Sequence, residues 1–392
     1  MTLAQLLAAP ADERTERGTL HTPREIAQQP VTWLDTAARA AALAPKLQAA
    51  LHPLGLHSPQ APHVLLLGAG TSDFVGRSVQ NELRSRWGCV VEALPTTDFA
   101  THEQSLLVAG ARYVSISFSR SGKSPESVLA AERLLHRKPS APQLMVTCDA
   151  AGAMASRLSQ HPSALTLLLD DAINDRSLAM TSSYTNMVLA GLAFAHYQEL
   201  DRFQRIVTAL ASAWRGLLDA ADALAERLAA RSFSRVYYLG SGSLNGVARE
   251  SALKLLELTS GRVSSGSESF LGIRHGPLSA LDGKALLVGL VSSDARVRRY
   301  ELDLLREVQQ KKLAEEVVVI AQHPEPQLRQ VASSVLELDV AEQVSDDHLA
   351  PVMVLFGQLL GLHSSLAQGL KPDAPSPGGV INRVVAGVEM HA

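Results

Sequence analysis

One pattern of short apolar segments occurs twice in this chain, at an offset of about 172 residues. Each copy has four such segments in the same order, with helical stretches between or after them. Buried parallel strands have continuous apolar sequences, and strands that alternate with helices form parallel sheets. The matched pairs are His63 to Leu67 with Ser234 to Leu239, Tyr113 to Phe118 with Lys284 to Val291, Leu144 to Thr147 with Glu316 to Ala321, and Leu165 to Asp170 with Val335 to Val340. The fourth strand of the first copy is predicted over Ala164 to Leu169. The repeat predicts an α/β fold of two tandem units, each a mostly parallel sheet flanked by helices.

The predicted domain limits follow from this repeat. Residues 1–45 form an N-terminal helical segment, rich in Ala, Leu and Gln. The first α/β domain covers residues 46–215 and the second covers residues 216–392. A chain of 392 residues with 46% hydrophobic residues is long and apolar enough to bury a core in both domains.

Composition excludes several classes of protein. The net charge is −3 and no long basic stripe occurs, so nucleic acid is not an expected partner. Cys89 and Cys148 are far apart, which favours a reducing compartment over a disulfide framework. Residues 1–18 have acidic flanks and too short an apolar run for a signal peptide, and no membrane span is expected. These features together predict a cytoplasmic protein.

No cluster of His, Cys and Asp with metal-ligand spacing is visible, and neither a metal nor another cofactor is expected. Asp346-Asp347-His348 is interpreted as a helix N-terminus. The Gly68/Gly70 pair lacks the third glycine of a dinucleotide-binding loop, because Asp73 stands there, and the order of glycine, lysine and serine excludes a Walker loop.

Two hydroxyl-rich loops follow neighbouring strands of the first copy: Gly70-Thr71-Ser72, and Ser119-Arg120-Ser121-Gly122-Lys123-Ser124. Open α/β sheets bind ligands at the carboxyl ends of their strands, and phosphate favours hydroxyls, N–H groups and helix N-termini. Turn formation or helix capping is the alternative for either loop alone. Two such loops at adjacent strand ends favour a phosphate site. In the second copy Ser292-Ser293-Asp294 introduces an acid, so only the first copy is expected to bind phosphate.

Glu250, Lys254 and Glu257 share one face of a predicted helix, because they lie four and three residues apart. A solvated face with salt bridges is the ordinary interpretation of such a pattern. An acid–base role is the alternative. Glu257 lies roughly 20 Å along the helix from the turn at Gly240 and therefore faces something other than that strand end. The next segment, Arg262 to Gly276, is predicted to be a long Ser/Gly-rich loop, a type that is often functional.

At these residues the chain resembles the SIS family of sugar-phosphate proteins, from about residue 20 onward. The order of the motifs is that of the isomerase half of glucosamine-6-phosphate synthase. The AgaS-type subgroup, described as galactosamine-6-phosphate deaminase or tagatose-6-phosphate ketose/aldose isomerase, is the most similar. The segments that carry the resemblance are Gly68 to Ser72, Ser119 to Gly122, Ala252 to Glu257, Arg274 to Leu278, and the tail Asp373 to Val385.

The resemblance implies a role for each matching residue. Glu257 would move a proton between C1 and C2, and Lys254 would lie near the reacting carbons. His275, which in relatives comes from the neighbouring chain, would open the sugar ring, and Glu250 would orient it. Arg383 falls where the synthase relatives have a C-terminal lysine. The residues implied to hold the substrate phosphate are Thr71, Ser72, Ser119, Arg120, Ser121 and Ser124.

The implied activity is that of an amino-hexose 6-phosphate deaminase/isomerase, converting galactosamine 6-phosphate to tagatose 6-phosphate and ammonia. One alternative is an aldose/ketose isomerase of tagatose 6-phosphate that does not deaminate. Another is a non-catalytic regulator that binds a sugar phosphate. The resemblance also implies a homodimer or larger homo-oligomer, with sites shared between chains and no membrane partner.

Overall fold

The computed structural model describes residues 1–341, 344–376, 378–385 and 387–391. Within these residues, ten strands form two sheets of five, and every pairing is parallel. The first sheet has the order β2-β1-β3-β4-β5 and the second the order β10-β9-β8-β6-β7, which is the same topology read in reverse. The strands are β1 His63–Gly68, β2 Val91–Pro95, β3 Tyr113–Phe118, β4 Gln143–Thr147, β5 Ala164–Leu168, β6 Arg235–Gly240, β7 Ser264–Glu268, β8 Leu286–Val291, β9 Glu316–Gln322 and β10 Ser334–Leu338. The predicted fold of two parallel α/β units is confirmed.

Helices precede, separate and follow these strands, as the connections of a parallel sheet require. Short 3-10 helices occur at His52–Leu54, Asp171–Ile173, Gly272–His275 and Pro277–Ala280. The α-helices are α1 Leu3–Ala8, α2 Ala11–Arg17, α3 Thr22–Ala27, α4 Gln29–Ala42, α5 Ala44–Leu51, α6 Thr71–Trp87, α7 Thr96–Leu106, α8 Pro125–Arg137, α9 Ala153–Leu158, α10 Ser182–Ala195, α11 Leu200–Ala230, α12 Ser243–Leu258, α13 Ala295–Gln310, α14 Pro326–Val331, α15 Asp346–Met353 and α16 Leu355–Ala367.

The chain divides into two compact units, each made of three separate segments. The unit around the first sheet comprises Val31–Asn174, Ser182–Thr208 and Asn382–Ala392. The unit around the second sheet comprises Met1–Pro30, Asp175–Thr181 and Ala209–Ile381. The predicted domains are continuous stretches divided after residues 45 and 215, and they do not include this exchange of segments. Those domain limits stay a prediction.

Specific contacts hold the N-terminal helices in the unit of the second sheet. The Leu3 N–H donates to Asp222 Oδ2 at 2.7 Å, and His363 Nε2 contacts the other oxygen of Asp222 at 2.6 Å. At the far end of the same unit, Asp373 accepts hydrogen bonds from the backbone of His21 and Thr22. The N-terminal segment is therefore helical, as predicted, and is also part of a folded core.

All six strands that lie inside the sheets were recognised from sequence, together with the edge strands β5 and β10. Every residue of β3 and of β8 is buried, which explains their continuous apolar sequences. The two strands that sequence reasoning missed, β2 and β7, lie at sheet edges. Residues 264–268 of the predicted loop are strand β7, so the loop assignment is wrong there. An edge strand pairs with a neighbour on one side only. Strand β7 has the sequence SSGSE and forms such an edge without any large apolar side chain.

The run Asp346–Ala367, which contains α15 and α16, is the one helical stretch of the described residues that is long and apolar enough to cross a membrane. Inside the protein, 94% of its most apolar window is buried. A helix that is apolar on all sides is typical of a protein core as well as of a membrane, and the burial accounts for the composition here. As predicted, Asp346, Asp347 and His348 begin the helix α15.

Candidate active site

A tight turn joins β1 to α6 and places the start of the helix at the end of the strand. A Cβ atom at Gly68 would lie 2.3 Å from the Ser72 carbonyl carbon, and Gly70 has a φ of +56°. Both positions therefore require glycine. Thr71 and Ser72 begin α6 and are buried at this carboxyl edge of the sheet. The turn presents two hydroxyl side chains at a helix N-terminus, which suits an anion.

The loop after β3 presents further hydroxyls at the same edge. Ser119 Oγ accepts the Gly122 N–H at 3.1 Å, and Ser121 Oγ accepts the Lys123 N–H at 3.3 Å. A hydroxyl that accepts one hydrogen bond can donate its own proton to another group. Ser124 stands at the N-cap position of α8, but its side chain makes no capping bond within the described part of the chain. Helix capping therefore does not account for Ser124, whereas Ser119 and Ser121 also stabilise the turn that carries them. We call these two loops the phosphate cradle, after their predicted role.

Three cationic residues lie at the cradle. Lys123 Nζ is 2.8 Å from Asp149, and this hydrogen bond, with added charge from Lys123 and Arg383, holds the pKa of Asp149 below its ordinary value. Arg120 is buried and donates through Nη2 to the main-chain carbonyl of Arg383. The Arg383 guanidinium donates to Asn174 Oδ1 at 2.5 Å. The structure thus brings Arg383 to the loop that carries Ser119 and Ser121.

Sequence reasoning missed Asp149 and Asn174. Asp149 comes two residues after β4, and Asn174 follows β5 and a short 3-10 helix. Their position after strands of the same parallel sheet was the one available signal, because such strand ends meet at one edge. Neither residue belongs to a recognisable motif. Pro377, in the tail segment used for the family resemblance, lies outside the described residues.

The equivalent loops of the second copy are filled by the chain's own carboxylates. The turn after β6 repeats the glycine requirement, since a Cβ at Gly240 would lie 2.2 Å from the Leu244 carbonyl oxygen. Its serines, however, bind acidic side chains. The contacts are Ser241 Oγ to Glu301 Oε1 (2.6 Å), Ser292 N to Glu301 Oε2 (2.8 Å), Ser293 N and Oγ to Asp346 Oδ1 (both 2.7 Å), and Ser243 Oγ to Asp347. This arrangement supports the prediction that the first copy alone binds phosphate.

The three charged residues of α12 form a buried cluster. Lys254 Nζ lies 2.6 Å from Glu257 Oε2 and 3.3 Å from Glu250 Oε1. The side chains of Glu250 and Lys254 are 0% exposed, whereas that of Glu257 is 25% exposed. The predicted shared face is confirmed, but the solvated-face interpretation is wrong for Glu250 and Lys254. Helix α16 packs closely on α12, because Gly357 stands where a Cβ would be 2.5 Å from that of Ser251.

The two carboxylates keep Lys254 charged. Burial alone lowers the pKa of this ammonium, but the negative charges of Glu250 and Glu257 more than offset that effect and raise the pKa above its ordinary value. Lys254 is therefore an ammonium at neutral pH. Glu257 is the one member of the cluster with an exposed surface, so it is the group that a substrate can reach.

His275 is exposed at the end of the 3-10 helix Gly272–His275. The neighbouring Arg274 ties this segment to α13, since its Nε donates to Glu307 Oε2 at 2.8 Å. Gly276 follows with a φ of +126°, which favours glycine. The predicted pairing of His275 with Glu250 stays a prediction, because Glu250 is buried and His275 lies at the surface of the chain.

The chain is similar to known proteins along nearly its whole length. The SIS domain family matches residues 59–197. The AgaS protein of Streptomyces coelicolor is 38% identical over 375 residues, which cover 95% of this chain and 96% of that protein. The D-galactosamine-6-phosphate deaminase AgaS of Escherichia coli is 36% identical over 379 residues, covering 94% and 95%.

A solved structure is similar over nearly the same span. The crystal structure of tagatose-6-phosphate ketose/aldose isomerase from Escherichia coli has a TM-score of 0.85 to this structure at 33% sequence identity. The superposition covers 95% of this chain and 96% of the isomerase chain. With the repeated parallel sheets, the hydroxyl cradle and these relatives in agreement, the chain belongs to the SIS-domain family.

Proposed function

We propose that this protein is a galactosamine-6-phosphate deaminase/isomerase. It opens the sugar ring, moves a proton from C2 to C1 and hydrolyses the resulting C2 ketimine with one water molecule. The products are tagatose 6-phosphate and ammonia. The names of the relatives support the choice of substrate. The buried Glu250–Lys254–Glu257 cluster is the observation that carries the proposal, because it provides a base held in place by a permanent cation.

Glu257 is the base in this reaction. Its carboxylate removes the C2 proton of the open-chain aldehyde and returns it to C1, so one group performs both transfers. Negative charge develops on the C1 oxygen as the C2–H bond breaks. The buried ammonium of Lys254, which its two carboxylate partners keep protonated, stabilises that charge through space from its place beside Glu257. His275 donates and accepts the protons that ring opening requires, and Glu250 fixes its orientation.

The phosphate cradle holds the 6-phosphate and so orients the sugar. The hydroxyls of Ser119 and Ser121 already accept backbone N–H groups, which fixes their oxygens and leaves their protons to be donated. A phosphate dianion gains from each such donor and from the start of α6. The residues proposed to hold it are Thr71, Ser72, Ser119, Arg120, Ser121 and Ser124.

Interconversion of tagatose 6-phosphate with an aldose, without loss of ammonia, is the second candidate. The solved structure of a tagatose-6-phosphate ketose/aldose isomerase, 33% identical to this chain, favours it. The same base serves both reactions, since each moves a proton between C1 and C2. Only the presence of an amino group on C2 separates them.

Ammonia release from galactosamine 6-phosphate and from glucosamine 6-phosphate, given separately to the purified protein, tests the proposal. We expect ammonia from the galacto sugar. If neither sugar yields ammonia while tagatose 6-phosphate still isomerises, the deaminase function is wrong and the isomerase remains. The variant Glu257→Gln keeps the shape of the base and removes its charge. It should lose at least about a hundredfold in kcat and keep substrate binding. A non-catalytic regulator would show no turnover in the parent protein.

We further propose that the protein acts in the cytoplasm as a homodimer or larger homo-oligomer, with His275 serving the site of a neighbouring chain. The exposure of His275 supports this, because a residue at the surface of one chain can reach another.

A further inference from the structure

We propose that Asn174 is a positioning residue that fixes the guanidinium of Arg383 beside the phosphate cradle. This inference rests on the proposed function, since it assigns Arg383 to binding of the sugar phosphate. The residues involved all belong to the unit of the first sheet. Asn174 has no counterpart among the motifs that identify the family in this sequence.

The side chain of Arg383 is held by two acceptors on one residue. Its Nη2 donates to Asn174 Oδ1 at 2.5 Å and to the Asn174 main-chain oxygen at 3.3 Å. Asn174 is half-buried and closes the 3-10 helix Asp171–Ile173, donating its own N–H to the Asp171 carbonyl. Asp170 caps the start of this helix through the Ala172 N–H at 2.9 Å. The acceptor therefore belongs to a short, internally bonded segment and not to a free loop.

The main chain of Arg383 is held from the other side by Arg120, whose Nη2 donates to its carbonyl. Arg120 is itself fixed at the cradle, because its carbonyl accepts the Cys148 N–H at 3.1 Å and the Thr147 hydroxyl at 3.3 Å. The loop after β3 thus hydrogen-bonds to the backbone of Arg383, and the segment after β5 hydrogen-bonds to its side chain. Arg120 has, besides any contact with phosphate, the role of anchoring the tail.

This arrangement sets where the positive charge lies. Lys123 is paired directly with Asp149, and the charge of Arg383 also acts on Asp149, whereas the direct hydrogen-bond acceptor Asn174 is neutral. A guanidinium has five N–H donors in a rigid plane. Bonds to Asn174 are therefore compatible with donation to an anionic substrate. Because an unrestrained arginine side chain samples many rotamers, fixing it in advance favours binding.

The test compares Asn174→Ala, Arg383→Ala and the double variant with the parent protein, using kcat and KM for galactosamine 6-phosphate and calorimetric binding of inorganic phosphate. We expect Asn174→Ala to raise KM and the phosphate Kd roughly tenfold, the effect of losing one hydrogen bond to a charged group, with a smaller change in kcat. The double variant should bind no worse than Arg383→Ala alone, because Asn174 acts through Arg383. Asn382→Ala, an exposed asparagine next to Arg383, is the matched control and should leave KM unchanged.

A normal KM in Asn174→Ala, or losses that add in the double variant, would overturn the inference. A lower kcat at unchanged KM would also overturn it, since that pattern indicates a purely structural role. If the parent protein turns over neither sugar, the proposed function fails. Phosphate binding then still decides the role of Asn174. Weaker binding that is shared non-additively with Arg383→Ala supports the inference, and equal binding by all variants contradicts it.

Discussion

Lys254 illustrates how a buried charge is made tolerable by its immediate partners. Its ammonium is fully buried, which is costly unless opposite charges accompany it. Glu250 and Glu257 supply them from one turn on either side, and Glu257 stays partly exposed. A single helical turn therefore holds both the fixed cation and the proposed base. Sequence spacing alone shows that the three residues share a face, but not that the face is buried.

Replacing Lys254 with Met should both destabilise the protein and abolish turnover. The substitution leaves Glu250 buried without its cation, and breaking a buried pair in this way costs about 3–5 kcal/mol of the free energy of unfolding. Urea unfolding followed by circular dichroism measures it. Lys254→Met combined with Glu250→Gln removes both buried charges and should recover part of the lost stability. A double variant that is less stable than Lys254→Met would contradict this account.

At the scale of elements, two glycine contacts bring α16 against α12. A Cβ at Gly357 would lie 2.5 Å from the Ser251 Cβ, and a Cβ at Gly361 would lie 2.8 Å from the Leu258 Cδ1. Because both positions are glycine, the two helices approach each other closely along this face of α12.

Gly357→Ala should lower the free energy of unfolding by about 1–3 kcal/mol, because the added methyl group overpacks a helix contact. Gly216→Ala is the matched control. It lies within α11, where an added Cβ meets nothing within 4 Å, and alanine there should stabilise the helix by up to about 1 kcal/mol. Thermal unfolding distinguishes the two, with opposite shifts expected in Tm. Equal shifts would indicate that contact with α12 does not decide the effect.

The strands that sequence analysis predicts most clearly are those whose apolar content reflects burial on both faces. Strands β1, β3, β8 and β9 belong to this group. Strand β7 was not predicted, because its sequence SSGSE is typical of a loop. It forms a strand by pairing with β6. The cradle serines and the α12 cluster were predictable because they belong to local motifs. Asp149 and Asn174 were not, because their roles depend on partners distant in sequence that only the folded sheet brings near.

At the scale of the whole molecule, two copies of one topology have diverged in chemistry. The serines of the first copy accept backbone N–H groups, whereas those of the second donate to Glu301, Asp346 and Asp347. The second copy thus keeps the shape of the cradle and stabilises it internally. This internal stabilisation places the carboxyl group of Glu301 in the protein interior. Burial, with the nearby charge of Asp346, raises the pKa of Glu301 from an ordinary 4.5 to about 7.

Glu301 should make the stability of the protein depend on pH. Its folded-state pKa lies above the unfolded value, so the folded chain binds the proton more tightly. The free energy of unfolding therefore falls as the pH rises from about 4.5 to about 7, by up to about 3 kcal/mol, and stays lower above that range. Glu301→Gln removes this ionisation. Urea unfolding at about pH 5 and about pH 8 should show a smaller difference for the variant than for the parent.

Glu25 is also buried with a pKa raised to about 7. It remains in both proteins, so only the difference between their pH dependences reports on Glu301. The same dependence in both would show that Glu301 ionises in the folded state as it does in the unfolded chain.

The exchange of segments between the two units has a consequence for synthesis on the ribosome. Chains emerge from the N-terminus and their domains generally fold in that order. Here the helices of residues 1–30 belong with strands that are translated more than two hundred residues later, and the first sheet receives residues 382–391 only after the second sheet has been made. The unit whose sheet is synthesised first is thus completed last, and a nascent chain gains Arg383 beside its phosphate cradle only when that residue has left the ribosome.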